Sequence, residues 1–179
     1  MLELRCACER VHLRLRGAPL RHFECYCRHC QASMAWIESH GGKSARSASG
    51  GDQSLLVYSD EVEVLAGEEE LGLYAVARPV RTLRVYSRCC HTALGSTFVG
   101  GLPLSALKTA GVQDPSSLPP LDEHINVASA PPGATPGADG KPCRRGMGWP
   151  MIKAAIRALT PGGGHGWHRW VPDQDVVRV

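Results

Sequence analysis

Seven of the eight cysteines fall into three tight clusters: Cys6 with Cys8, then Cys25, Cys27 and Cys30, then Cys89 with Cys90. Cys143 stands apart. Thiols grouped this way suit metal binding better than disulfide pairing. A disulfide framework spreads its partners along the chain and needs an oxidising compartment. A Cys-x-Cys pair also closes too short a loop for ordinary disulfide geometry. Zinc is the metal that such thiolate sets favour.

Two sites follow from the spacing. Cys6 and Cys8 sit two apart on what reads as a strand, so both side chains should point to one face. They supply half of a tetrahedral site, and Cys89-Cys90 is the evident source of the other half. A loop of about 80 residues closed through one ion couples metal binding to folding. This is the expected structural site. Cys25-Tyr26-Cys27-Arg28-His29-Cys30 differs in packing three thiols into one turn. Three thiolates leave a fourth position for water or a ligand, as in catalytic zinc. Such an ion is a weak Lewis acid, better suited to binding and deprotonating an incoming thiol or to holding a labile metal. The alternative is a closed knuckle with His29, Cys89 or another residue as fourth ligand, and spacing alone does not choose.

These clusters need elements to hold them. Val11, Leu13 and Leu15 alternate with His12, Arg14 and Arg16, the period of a half-buried strand. Leu20 to Cys25 reads as the next strand, delivering the central cysteines at a turn. One or two helical turns are expected from His29 to Trp36. A Gly/Ser-rich stretch from Ser39 to Asp52 reads as a flexible loop, an insertion or a lid. Further strands are expected at Leu55–Tyr58, Val62–Leu65, Leu71–Ala77 and Thr82–Tyr86, the last running into Cys89-Cys90. Glu68-Glu69-Glu70 reads as a solvated turn, with Gly67 and Arg78-Pro79 supplying breaks. Every cluster thus lies at a strand end or on the following turn, as in all-β zinc folds.

The chain has 179 residues, enough for one domain with a sizeable core. Its 20 glycines and 13 prolines favour short strands and many turns over a helical bundle. Residues 1–105 are expected to form a zinc-binding β domain, and 106–179 a C-terminal extension. Within the extension, the Gly/Pro-rich segment 131–146 reads as irregular. Residues 149–160 carry Met151, Ile152, Ala155, Ile156 and Leu159 at helical spacing behind Pro150, a helix that should dock on the body. No apolar run is long enough to span a membrane, and the first residues lack the apolar stretch of a secretory signal. The cytoplasm is the expected setting. A formal net charge of +3, without a block of like charge, gives little support to a nucleic-acid partner.

The ordered clusters, followed by Thr92, resemble those of the glutathione-dependent formaldehyde-activating enzyme and centromere-protein-V family. The resemblance runs over roughly residues 3–100 and implies a mainly β fold, an Mss4-like folded antiparallel sheet. It implies two zinc sites, a structural one on Cys6, Cys8, Cys90 and Cys89, and a second, tied to activity, on Cys25, Cys27 and Cys30. It also implies a carbon–sulfur lyase-type reaction joining glutathione and formaldehyde as S-hydroxymethylglutathione. The late motif departs from the family's Cys-x-x-Cys-Gly. Ser87 stands where the first cysteine belongs, and His91 where the glycine does. Tyr26 replaces a frequent histidine. The Cys-Cys pair leaves two places for Cys89: beside Cys90 at the structural site, which demands a strained backbone, or at the second site.

Arg10, Arg14, Arg21 and Arg28 are candidates to meet the carboxylates of glutathione, although alternating surface arginines on a strand are the commoner arrangement. His40 is a loop histidine able to approach the open site. Cys143 with His165 and His168 matches no tight metal motif and reads as a free exposed thiol beside surface histidines. Trp167 and Trp170 are expected to pack on the body. No phosphate loop, nucleophile elbow or dinucleotide fingerprint is present. Two other functions fit the same residues: a non-catalytic zinc module for protein contacts, and a nucleic-acid-binding zinc ribbon.

Overall fold

Side chains on both faces are buried along the strands at the centre of the fold, while the strands at its margins bury one face or neither. The structure, a computed structural model, describes residues 2–76, 78–99, 103–145, 152, 156 and 176–179. It is mainly β. Strands β1 (Leu2–Arg5), β2 (His12–Leu15) and β5 (Val62–Ala66) form a three-stranded antiparallel sheet in the order β1-β2-β5.

The larger sheet is built from β3 (Arg21–Cys25), β4 (Asp52–Tyr58), β6 (Leu71–Ala75), β7 (Thr82–Ser87), β8 (Ala93–Phe98), β9 (Leu104–Lys108), β10 (Glu123–Ile125), β11 (Cys143–Arg144) and β12 (Val176–Arg178). Their order is β11-β10-β3-β4-β9-β8-β7-β6-β12. The run from β3 to β6 is antiparallel, while β10 pairs parallel with both β3 and β11 and β12 pairs parallel with β6.

One face of the large sheet packs on the small sheet. Leu4 and Leu13 meet Leu55, Val57, Leu73, Val85 and Leu107 in the main core. Burying each such side chain contributes about 1.5–3 kcal/mol. The opposite face carries the alternate residues of the same strands, and α1 (Arg28–Ser39) lies over part of it. There Ile37 joins Tyr74, Tyr86 and Ala93, Trp36 stacks on Tyr74 at 4.3 Å, and Ser33 hydrogen-bonds the Tyr74 hydroxyl at 2.7 Å.

Several expectations are corrected. Strand β1 ends at Arg5, so Cys6 and Cys8 lie on the turn into β2 rather than on a strand. That turn is closed by the Glu9 amide donating to the Cys6 carbonyl at 2.9 Å, with Glu9 at φ 62°. The helix is 12 residues long, beyond the one or two turns expected. Cys30, Met34 and Ile37 recur at helical spacing on its buried side, and Cys27 caps its start. The Ser39–Asp52 stretch is tied back to the helix, Arg46 pairing with Glu38 at 2.8 Å.

Glu68–Glu70 form a 3-10 turn after left-handed Gly67 (φ 76°), as expected of a turn, and Glu70 pairs with Arg10 at 2.8 Å. Segment 131–142 is irregular but anchored, with the Thr135 amide bonded to the Ser49 carbonyl at 3.0 Å and Asp139 to His124 at 2.8 Å. The helix expected over 149–160 lies outside the described residues except for Ile152 and Ile156, which are helical and exposed. Trp167, Trp170, His165 and His168 also lie outside them.

Candidate functional site

Two turns at the same end of the core bring the first cysteine group together. The β1–β2 turn carries Cys6 and Cys8, and the β7–β8 turn carries Cys89 and Cys90. The four sulfurs lie within 4.8 Å of one another. Cys6 Sγ is 3.5 Å from Cys8 and 3.7 Å from Cys89, Cys8 is 3.1 Å from Cys89, and Cys89 is 3.9 Å from Cys90. Tetrahedral zinc with bonds of about 2.3 Å sets its sulfurs about 3.8 Å apart, so this donor set fits the ion.

Both adjacent thiols reach the cluster without a left-handed backbone at either residue. The tight geometry is taken up by His91, at φ 51°. Ser87, in place of a cysteine, is fully buried and hydrogen-bonds Cys90 Sγ at 3.2 Å, as does Thr92. Thr92 Oγ1 also accepts the Ala7 amide at 2.9 Å, linking the two turns. Burial opposes charge on Cys90, yet the Ser87 and Thr92 hydroxyls bring its thiol down to about 5. Burial pushes the Cys6 thiol up.

The central group, Cys25, Cys27 and Cys30, also has its sulfurs within 4.8 Å of one another. Cys25 ends β3, and Cys27 caps α1, its sulfur accepting the Cys30 amide at 3.4 Å. Hydrogen bonds from Cys25 and Cys30, reinforced by helix-start amides, hold the Cys27 thiol far below its ordinary range. The same neighbours drive Cys25 upward. No fourth cysteine, histidine or carboxylate joins this group among the described residues. Neither His29 nor Cys89 closes it, and His40 stacks on Trp36 and His91 instead, 4.5 and 5.2 Å between ring centroids.

The three thiols face a cavity of about 180 Å³. His29 and Asn126 stand beside them, Phe23, Phe98, Ala106 and Ile125 form its apolar wall, and Ser54, Thr82, Arg84, Ser96 and Lys108 its polar floor. Asn126, left-handed at the end of β10, donates Nδ2 to Cys25 Sγ at 3.3 Å. Arg84 Nη2 lies 3.9 Å from Cys30 Sγ. Lys108 pairs with Asp52 at 2.5 Å, both fully buried.

Sequence reasoning missed Arg84, Lys108 and Asn126. Arg84 alternates with Leu83 and Val85, the pattern of a residue facing solvent, and only the covering of that face by α1 and the neighbouring strands buries it. Of the arginines singled out, Arg10 and Arg14 are paired with glutamates, whereas Arg28 lines a second cavity described below. Cys143 is free and exposed, as expected.

A crystal structure of a Rhodobacter sphaeroides protein, a structural-genomics target, is similar at 15% identity and a TM-score of 0.46. The match covers 66% of this chain and 96% of that one. No curated protein matches the chain. The model of the family described as glutathione-dependent formaldehyde-activating enzyme matches residues 1–128. With both cysteine groups inside the matched span, the chain belongs to the glutathione-dependent formaldehyde-activating enzyme family.

Proposed function

We propose that the protein is a zinc-dependent enzyme of the carbon–sulfur lyase type, joining a small thiol to an aldehyde. Glutathione and formaldehyde are the family's pair. Cys6, Cys8, Cys89 and Cys90 hold a structural zinc, and Cys25, Cys27 and Cys30 a second, functional one. The observation that carries this reading is the central group itself: three thiols and no fourth ligand among the described residues, facing a cavity.

When bound there, zinc supplies affinity for a deprotonated thiol and raises its nucleophilicity at neutral pH. The remaining work falls to the chain. Phe23, Phe98 and Ile125 exclude water from the sulfur. His29, at the rim, takes the proton released by the thiol and returns it to the aldehyde oxygen as the carbon–sulfur bond forms. Asn126 and Arg84 fix the cysteine sulfurs in place. A closed zinc module for protein contacts would need a fourth ligand and no cavity, so it is the weaker reading. All eight cysteines are free, which suits a reducing cytoplasm.

The test is exchange spectroscopy by NMR on glutathione and formaldehyde at equilibrium with their adduct. Zinc-loaded wild-type protein should accelerate exchange and Cys27→Ser should not. Equal exchange with both, or none with either, overturns the reading.

A further inference from the structure

Arg5 pairs with Glu9 at 3.6 Å, and five more of the fourteen described arginines have acidic partners. Arg10, Arg14, Arg16, Arg46 and Arg144 each lie within 4.0 Å of a glutamate. Arg28, Arg78, Arg81 and Arg84 make no ion pair with a described carboxylate, and all four line one cavity of about 520 Å³. His29, Thr82, Arg84 and Phe98 line both this cavity and the cysteine cavity, so the two adjoin.

Arg84 is the strongest sign of a ligand. It is 6% exposed, its Nε has no hydrogen-bond partner, and its only side-chain hydrogen bond among the described residues is the long one to Cys30. Cys30, Asp52 and Cys27 act on its charge from a distance, but no described carboxylate lies within ion-pair reach. A buried guanidinium left so is costly unless an anion completes it. The start of α1 adds its partial positive charge at Arg28 and His29, and no acidic residue occupies its first turn. No aspartate or glutamate lines the arginine cavity among the described residues.

We infer that the arginine cavity is an anion subsite that ranks thiols by the negative charge on their body. Thiols bearing two or more carboxylate or phosphate charges and no ammonium bind best. Glutathione follows, since its carboxylates suit the cavity but its ammonium finds no acidic partner there among the described residues. Neutral thiols come last. Guanidinium forks fit carboxylates and phosphates alike, so the two chemistries share this subsite. The ranking rests on the reading of the cysteine cavity as a thiol site.

Calorimetric titration of the zinc-loaded full chain at low ionic strength tests it, with mercaptosuccinate, coenzyme A, glutathione and 2-mercaptoethanol as probes. At least one polyanionic thiol should bind about tenfold tighter than glutathione, and glutathione about tenfold tighter than 2-mercaptoethanol. Which polyanion leads distinguishes carboxylate from phosphate. The paired change Arg78→Glu and Arg81→Glu, at the rim and away from the cysteines, should weaken the polyanionic thiols by about tenfold or more and leave 2-mercaptoethanol unchanged.

Succinate and inorganic phosphate probe the subsite without a thiol, and both should lose binding in that variant. Equal affinity for charged and neutral thiols, or indifference to the charge reversal, overturns the anion subsite and spares the thiol reading. Binding of succinate or phosphate with no thiol bound overturns the thiol reading, and the ranking with it, while keeping the subsite. No binding by any probe overturns both.

Discussion

Cys8 Sγ lies 3.1 Å from Cys89 Sγ across 81 residues of chain. Cys8 sits on the small sheet's first turn and Cys89 on a turn of the large sheet, so an ion held between them ties the two sheets together. Cys89→Ser should therefore lower stability as a lost cross-link does, on the order of 4 kcal/mol for a loop of this length. Denaturant titration with zinc analysis checks this, and chelation of the wild type should produce a shift in the same direction. An unchanged midpoint after full loss of zinc would rule out a structural role.

Cys27→Ser should behave differently. The residue is both a candidate ligand and the cap of α1, accepting the Cys30 amide. Serine is a good helix cap, so the helix should survive the change while the metal is lost. Zinc per chain is expected to fall from two to one, with circular dichroism unaltered. Two zincs in the variant would place the second ion elsewhere.

Asp52 makes stability depend on pH. It is fully buried beside Lys108, with Cys30 and Arg84 nearby and Ser54 sharing the Lys108 ammonium, and its Oδ1 has no hydrogen-bond partner. Burial pushes its carboxyl up to about 7, against the opposing pull of Lys108. The folded state then keeps a proton that the unfolded chain has released above about pH 4. The stability gained is fully present below that point and lost as pH rises through about 7. Between about pH 6 and pH 8 the wild type should lose on the order of 1 kcal/mol more than Asp52→Asn. Denaturation midpoints of the two proteins at each pH give the difference, and parallel curves would contradict it.

Tyr26 stands between two cysteines yet points away from them. Its hydroxyl meets Glu24 at 2.8 Å, Ser49 at 3.1 Å and His124 at 3.2 Å, and His124 passes the network to Asp139 on the C-terminal side. Tyr26→Phe should cost about 1–2 kcal/mol of stability and speed hydrogen exchange around residues 131–142. Zinc content should stay at the wild-type value. A loss of zinc would show that Tyr26 supports the cysteines directly.

The sequence by itself determined the local parts: the alternation that makes β2 a strand, the glycine turn before Glu68, and the grouping of seven cysteines into three clusters. Those features depend on neighbours a few residues apart, where period and turn chemistry act. It also pointed to Cys89-Cys90 as partners of Cys6 and Cys8, because a Cys-x-Cys pair leaves a tetrahedron half filled. Helix α1 was legible only in part, since its polar residues masked the spacing of Cys30, Met34 and Ile37.

Tertiary structure alone decided the rest. It put Cys89 beside Cys90, with Ser87 bonding to the Cys90 sulfur, since which of two adjacent thiols turns inward depends on the backbone at His91 and on the facing turn. It buried Arg84 and Lys108, which a strand pattern assigns to solvent, because α1 and neighbouring strands cover the face that alternation leaves polar. It also set the cysteine cavity against an arginine cavity whose walls come from distant segments. Alternation separates the two faces of a strand, but only the packing of whole layers determines whether the polar face meets water.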